Sequence, residues 1–202
     1  MTWTLHAEGA TLREAVHAEW TKLRTVPSTA WLLLTAIALT TGVSVLATEV
    51  VKCPASCGED TTKLSLTGIL LGQAAVAVLA VLVMSGEYSS GMIRITLAAV
   101  PRRATALAAK AIILTGVVVA AGTVVTAGSV LAARFILPGN GFTEAHGSLP
   151  LSLGDGPTLR AAGGSVLYLA LIALLSLGLA TAMRDSGASI AVLLGLDRKS
   201  VV

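Results

Sequence analysis

Residues 86–110 read GEYSSGMIRITLAAVPRRATALAAK, a polar-flanked stretch set between two strongly apolar runs. Four basic groups (Arg94, Arg102, Arg103, Lys110) and the acid Glu87 fall inside it, whereas the runs on either side carry almost no charge. Such a segment reads as a loop on the cytoplasmic side of a membrane, with the flanking runs as spans.

The composition agrees. Of 202 residues, 54% are hydrophobic and 12% charged, and the mean hydropathy is +0.84. These values lie outside the range of soluble domains and inside that of membrane proteins. The net charge of +3 would suggest nucleic acid in a soluble protein, but here Lys and Arg flank apolar runs and act as topology signals. No nucleic-acid partner is expected; the lipid bilayer is.

Working outward, four apolar runs occupy about residues 29–47, 64–84, 111–133 and 161–183, each with the roughly 18 to 23 residues that cross a bilayer. Their Ala, Gly, Val and Leu content fits helices and not alternating barrel strands. With the N-terminus inside, eight Lys and Arg (Arg13, Lys22, Arg24, Arg94, Arg102, Arg103, Lys110, Arg184) lie cytoplasmic against four (Lys52, Lys63, Arg134, Arg160) outside. That asymmetry predicts a multi-pass plasma-membrane protein with a cytoplasmic N-terminus.

Ahead of the first span, Leu12, Val16, Trp20, Leu23 and Val26 step by helical spacing and draw one apolar stripe, with Thr11 and Glu14 placed as a capping box and Pro27 ending the helix. Arg13, Lys22 and Arg24 fall off the stripe. The helix is expected to rest on the membrane surface with Trp20 at headgroup level; a solvated helix packed on a partner is the alternative. Ser186 to Leu196 begins a fifth apolar segment of about 16 Å, too short to cross. The polar tail 197–202 is unrelated to it, which suggests a truncated or frame-disrupted chain, a genuine half-helix being the alternative. The fold class is therefore an all-α membrane protein, a polytopic bundle of four full transmembrane helices plus a partial fifth. A leader (1–28) carries the interfacial helix, followed by a transmembrane domain (29–196) and the tail.

Within the spans, Gly68 and Gly72 match the small-xxx-small pattern of close helix packing, either inside the subunit or at a dimer interface, and Gln73 is read as bonding to a neighbouring helix. Cys53 and Cys57, in an outer loop, form a local disulfide on the sharper reading and remain two thiols on the plainer one. No metal site is expected, since neither His nor further Cys lies near them. His146 reads as a surface histidine. The sequence contains no phosphate-binding loop, no H-E-x-x-H and no G-x-S-x-G. The chain should not hydrolyse ATP itself, and charge-free span interiors argue against ion-coupled transport.

The spacing of Glu87, Gly91, Leu97, Pro101 and Arg103 resembles the cytoplasmic loop between the second and third helices of exporter-type ABC transporter permeases, the type-2 class. Glu19-Trp20-Thr21-Lys22-Leu23-Arg24 is similar to the membrane-surface helix of that family, especially its actinobacterial branch. The family has six transmembrane helices, so this chain departs from it after Leu196. The resemblance implies a short coupling helix docking on a separate ABC ATP-binding subunit, and Glu87, Arg94, Arg102 and Arg103 would give that interface its polar handles. ATP and Mg would sit on that subunit, with no cofactor on this chain. It also implies a second permease subunit, completing a homodimer around the path of a small or lipophilic exported substrate. The rival expectation is an anchor or immunity-type subunit that recruits a partner without transport, and the third an ion-coupled carrier.

Overall fold

The computed structural model describes residues 11–25, 27–52, 60–89, 91, 103–142, 154–183, 187–192 and 195. The described elements are helical: α1 (Leu12–Thr25), α2 (Pro27–Val50), α3 (Thr61–Ser65), α4 (Ile69–Ser89), α5 (Arg103–Ile136) and α6 (Gly156–Met183), with a 3-10 turn at Leu137–Asn140. Four stretches are long and apolar enough to cross a membrane: Ala30–Val50, Thr61–Gly86, Ala104–Asn140 and Gly156–Met183. The chain is thus a membrane-embedded helical bundle, and the four expected spans are all present, each longer than its apolar run.

Local chemistry explains the added length. Pro27 opens α2, at a helix position where a missing N–H costs nothing. The second span starts early because Asp60 caps α3, its carboxylate accepting the N–H groups of Thr62 and Lys63. At the same end of the bundle as α3, Asn140 donates its side-chain amide to the carbonyls of Thr48 (2.8 Å) and Glu49 (3.4 Å). Those carbonyls lie in the last turn of α2 and have no partner within their own helix. Residues 187–192, in the partial fifth segment, are helical, with Ser189 buried and Ile190 against the core.

The spans form a ring in which α2 packs on α4, α4 on α6, α6 on α5 and α5 back on α2. Its core is built from Ile69, Ala80, Val81 and Met84 of α4, Leu114, Val118 and Val125 of α5, and Leu169, Ala173 and Leu177 of α6. Alanine recurs because lipid offers no hydrophobic drive between helices, so close backbone approach and dispersion must hold them. The outward faces stay apolar: Trp31, Leu34, Leu39 and Leu46 on α2 and Leu167, Leu171 and Leu175 on α6 are all exposed. Apolar surface on that scale suits hydrocarbon and not water.

Gly68 and Gly72 face α2 of the same chain. A Cβ on Gly68 would lie 2.1 Å from the carbonyl oxygen of Thr40 and 2.5 Å from Ser44 Oγ, and one on Gly72 would lie 3.1 Å from Thr40 Cγ2. The Gly68 N–H donates to Ser44 Oγ at 3.1 Å. These glycines therefore serve packing inside the subunit, and the dimer-interface alternative has no free glycine surface to use.

Gly68→Ala is expected to destabilise the bundle by about 1–3 kcal/mol, the range of overpacked sites. Gly42→Ala, where a Cβ meets nothing within 4 Å, should leave it unchanged. Thermal unfolding in mild detergent compares the two.

Candidate functional site

Two features of the sequence converge at one end of the bundle: the amphipathic α1 and the start of α5. Helix α1 is set by its cap. The backbone N–H of Thr11 donates to Glu14 Oε2 at 2.8 Å, and that of Glu14 donates to Thr11 Oγ1 at 3.4 Å. This reciprocal arrangement is the capping box expected from Thr11 and Glu14.

The face that α1 turns inward differs from the apolar stripe. Leu12 and Trp20 of that stripe are 44% and 48% exposed, whereas Ala15 and Glu19 are buried. Ala15 packs on Ala109, with Val16 and Ala106 beside them. Small side chains let the two helices approach, and the larger apolar groups are left facing outward. That outcome agrees with an interfacial helix, since Leu12 and Trp20 of the stripe are free to meet lipid while Val16 joins the contact with α5.

The contact that fixes α1 is ionic. Lys110 Nζ lies 2.7 Å from Glu19 Oε2, with both side chains at or below 10% exposure, and Lys22 Nζ lies 2.9 Å from Glu19 Oε1. Burial alone would raise the Glu19 pKa, but the charge and hydrogen bond of Lys110, reinforced by Lys22, outweigh it and hold the carboxyl below its ordinary value of 4.5. The sequence reading assigned Lys110 to the basic loop and Glu19 to the surface helix without joining them. Ninety-one positions separate the two, and no periodic signal links them.

Around this pair the remaining predicted residues fall as follows. Lys22 bridges to Glu19, Arg24 is exposed, and Trp20 lies on the outer face. Glu87 is in the last helical turn of α4. Gly91 follows with φ +68°, its N–H donating to the carbonyl of Tyr88 at 3.3 Å. L side chains avoid that left-handed conformation, so the glycine of the loop pattern has a backbone reason. Arg103 is the first residue of α5. Arg94, Leu97, Pro101 and Arg102 lie outside the described residues, as do Cys53 and Cys57. Deeper in the bundle, Tyr168 on α6 donates its hydroxyl to Gln73 Oε1 on α4, the interhelical bond expected of the one amide in that span. Among the described residues no group of three or more His, Cys, Asp or Glu converges.

No protein-family model, no curated protein and no solved structure matches this chain.

Glu19→Gln would leave Lys110 buried without its countercharge, and a loss of about 3–5 kcal/mol is expected. Pairing it with Lys110→Met should recover most of that loss, which thermal unfolding of the single and double variants measures. The sign of the pH dependence follows from the lowered Glu19 pKa. The contribution of the pair is fully present above pH 4.5 and is lost as pH falls through the lower folded value. Melting temperature followed from pH 7 downward should therefore drop less steeply in the double variant.

Proposed function

We propose that this chain is the permease subunit of an ATP-driven transporter of the ABC exporter class, moving a small or lipophilic substrate across the plasma membrane. In this reading it works as a homodimer with a cytoplasmic N-terminus, and the 86–110 loop docks on a separate ATP-binding subunit that holds ATP and Mg. The observation that carries the proposal is the Glu87, Gly91, Leu97, Pro101, Arg103 spacing, whose two ends fall at the close of α4 and the opening of α5. A loop that only marks topology needs charge, but it does not need a left-handed glycine or this order of residue types.

The geometry supplies two supports. Helices α4 and α5 are long spans that deliver the loop from the bundle at a defined end, and α1 is clamped to α5 through Lys110, seven residues past Arg103. A docked partner would therefore meet a surface built from a loop and two anchored helices. A wet, polar interface of that kind suits subunits that must also move against one another.

Purification of the tagged chain from its native membrane in mild detergent is expected to bring down a stoichiometric P-loop ATPase. Glu87→Arg, with insertion unchanged, should lower its recovery at least tenfold, the order expected when a charge at an interface is reversed, and should abolish ATP-dependent flux. An ATPase recovered equally with the variant would remove the docking role of the loop. Recovery of a non-ATPase partner would favour the anchor reading.

A further inference from the structure

The outer side of α1 forms, with α5, an open groove of about 680 Å³ lined by Arg13, Glu14, Val16, His17, Trp20 and Ile113. Arg13 and His17 are four residues apart, and Trp20 is three further on, so the three side chains follow one face of α1. Both Arg13 and His17 are exposed, and neither forms an ion pair among the described residues. The acid in the groove, Glu14, is engaged in the helix cap, where its carboxylate accepts the Thr11 N–H.

The groove joins two chemistries. Its α5 wall is Ile113, inside the apolar stretch Ala104–Asn140, whereas Arg13 and His17 on the α1 side are polar and exposed. Trp20, half exposed in the same lining, has the amphipathic ring that settles at the headgroup level of a bilayer. A ligand that fits must carry an anionic, hydrogen-bonding head for Arg13 and His17 and an apolar tail for Val16, Trp20 and Ile113. A soluble phosphate ester has only the first part, and a neutral lipid lacks the charge. We infer that this groove binds the headgroup of an anionic glycerophospholipid, with the phosphate against Arg13 and His17 and the upper acyl chain against Ile113. The site is independent of the transport reading and depends only on the chain lying in a membrane.

Glu19 and Lys110, which hold α1 to α5, are not among the residues that line the groove. Arg13 and His17 can both be replaced without touching that clamp. The test is native mass spectrometry of the full chain released from mixed micelles containing dioleoylphosphatidylglycerol or dioleoylphosphatidylcholine. One phosphatidylglycerol should be retained in preference to phosphatidylcholine. Arg13→Gln should weaken its retention about fivefold, the effect of one cation near an anionic surface, and Arg13→Gln with His17→Gln should weaken it further. Arg134→Gln, a remote exposed cation, should have no effect, and circular dichroism should report unchanged helicity for all variants. Equal retention of the two lipids, or phosphatidylglycerol retention unaltered in the double variant, would overturn the inference. Displacement of the lipid by millimolar glycerol phosphate would overturn it as well, by reassigning the groove to a soluble anion.

Discussion

The bundle depends at one end on a single ion pair. Glu19 and Lys110 meet at 2.7 Å in a place from which water is nearly excluded, and Lys22 adds a second cation at the rim. Removing both charges from water costs about as much as their attraction returns, so the pair adds little over an apolar contact of the same shape. What it does add is selectivity. Ala15 against Ala106 and Ala109 is a smooth contact that several helix registers would satisfy, because each presents small apolar side chains. Only one register brings a carboxylate to the Lys110 ammonium, and every other one leaves a charge buried alone. The pair thus chooses the position of α1, and with it which side chains α1 sends outward.

Elsewhere the same problem is solved with hydroxyls and missing side chains. Along α2, Thr40, Ser44 and Thr48 recur every four residues on one buried face. Thr40 and Thr48 return their hydroxyl protons to carbonyls of their own helix, while Ser44 accepts the N–H of Gly68. That N–H stands just ahead of α4, among the donors that a helix start cannot satisfy internally. In hydrocarbon an unmet donor is expensive, and a short side chain on a neighbour meets it at no cost in space. Gly68 allows the approach and Ser44 uses it. The Asn140 amide does the equivalent for the carbonyls at the far end of α2.

These features were unequally legible. The spans are visible in sequence because hydropathy is a local property and needs no knowledge of neighbours. The capping box of α1 was legible for the same reason, all its partners lying within three residues. Legibility fails where a contact joins distant positions. Glu19 looked like a surface residue and Lys110 like a loop cation, and Asn140 lay in a Gly- and Pro-rich segment with no pattern at all. The stripe of α1 was legible as a stripe, with two readings of what it meets. A solvated helix packed on a partner would bury that stripe, whereas Leu12 and Trp20 face outward, the arrangement expected of a helix resting on a membrane surface. The glycine pair could be recognised as a packing motif, yet only the 2.1 Å approach to Thr40 tells which helix it packs on.

The position of Lys110 on α5 also has a mechanical meaning. Helix α5 runs unbroken for 34 residues, about 51 Å, against a hydrocarbon thickness of about 30 Å. It contains no proline, and its one Gly-Ser step, Gly128-Ser129, falls in the half remote from the loop. Sharp bends in helices need such features, so the portion from Arg103 to Gly128, roughly 37 Å at 1.5 Å per residue, is free of them. A displacement applied at Arg103 would then tilt this portion as a rod, and α1 would travel with it, because separating the helices would strand two charges in a place without water. At its far end the rod bears on the lipid-facing spans, Gly122 sitting against Val166 and Leu169 of α6 and Gly128 against Thr41 of α2. These two contacts are small, but α5 also places Leu114, Val118 and Val125 in the core that it shares with Leu169, Ala173 and Leu177 of α6, so interdigitated side chains hold it there. The ionic clamp therefore lies next to the loop and the packed core follows it along the same helix, so a movement beginning at the loop would meet the charged contact first and the core after it.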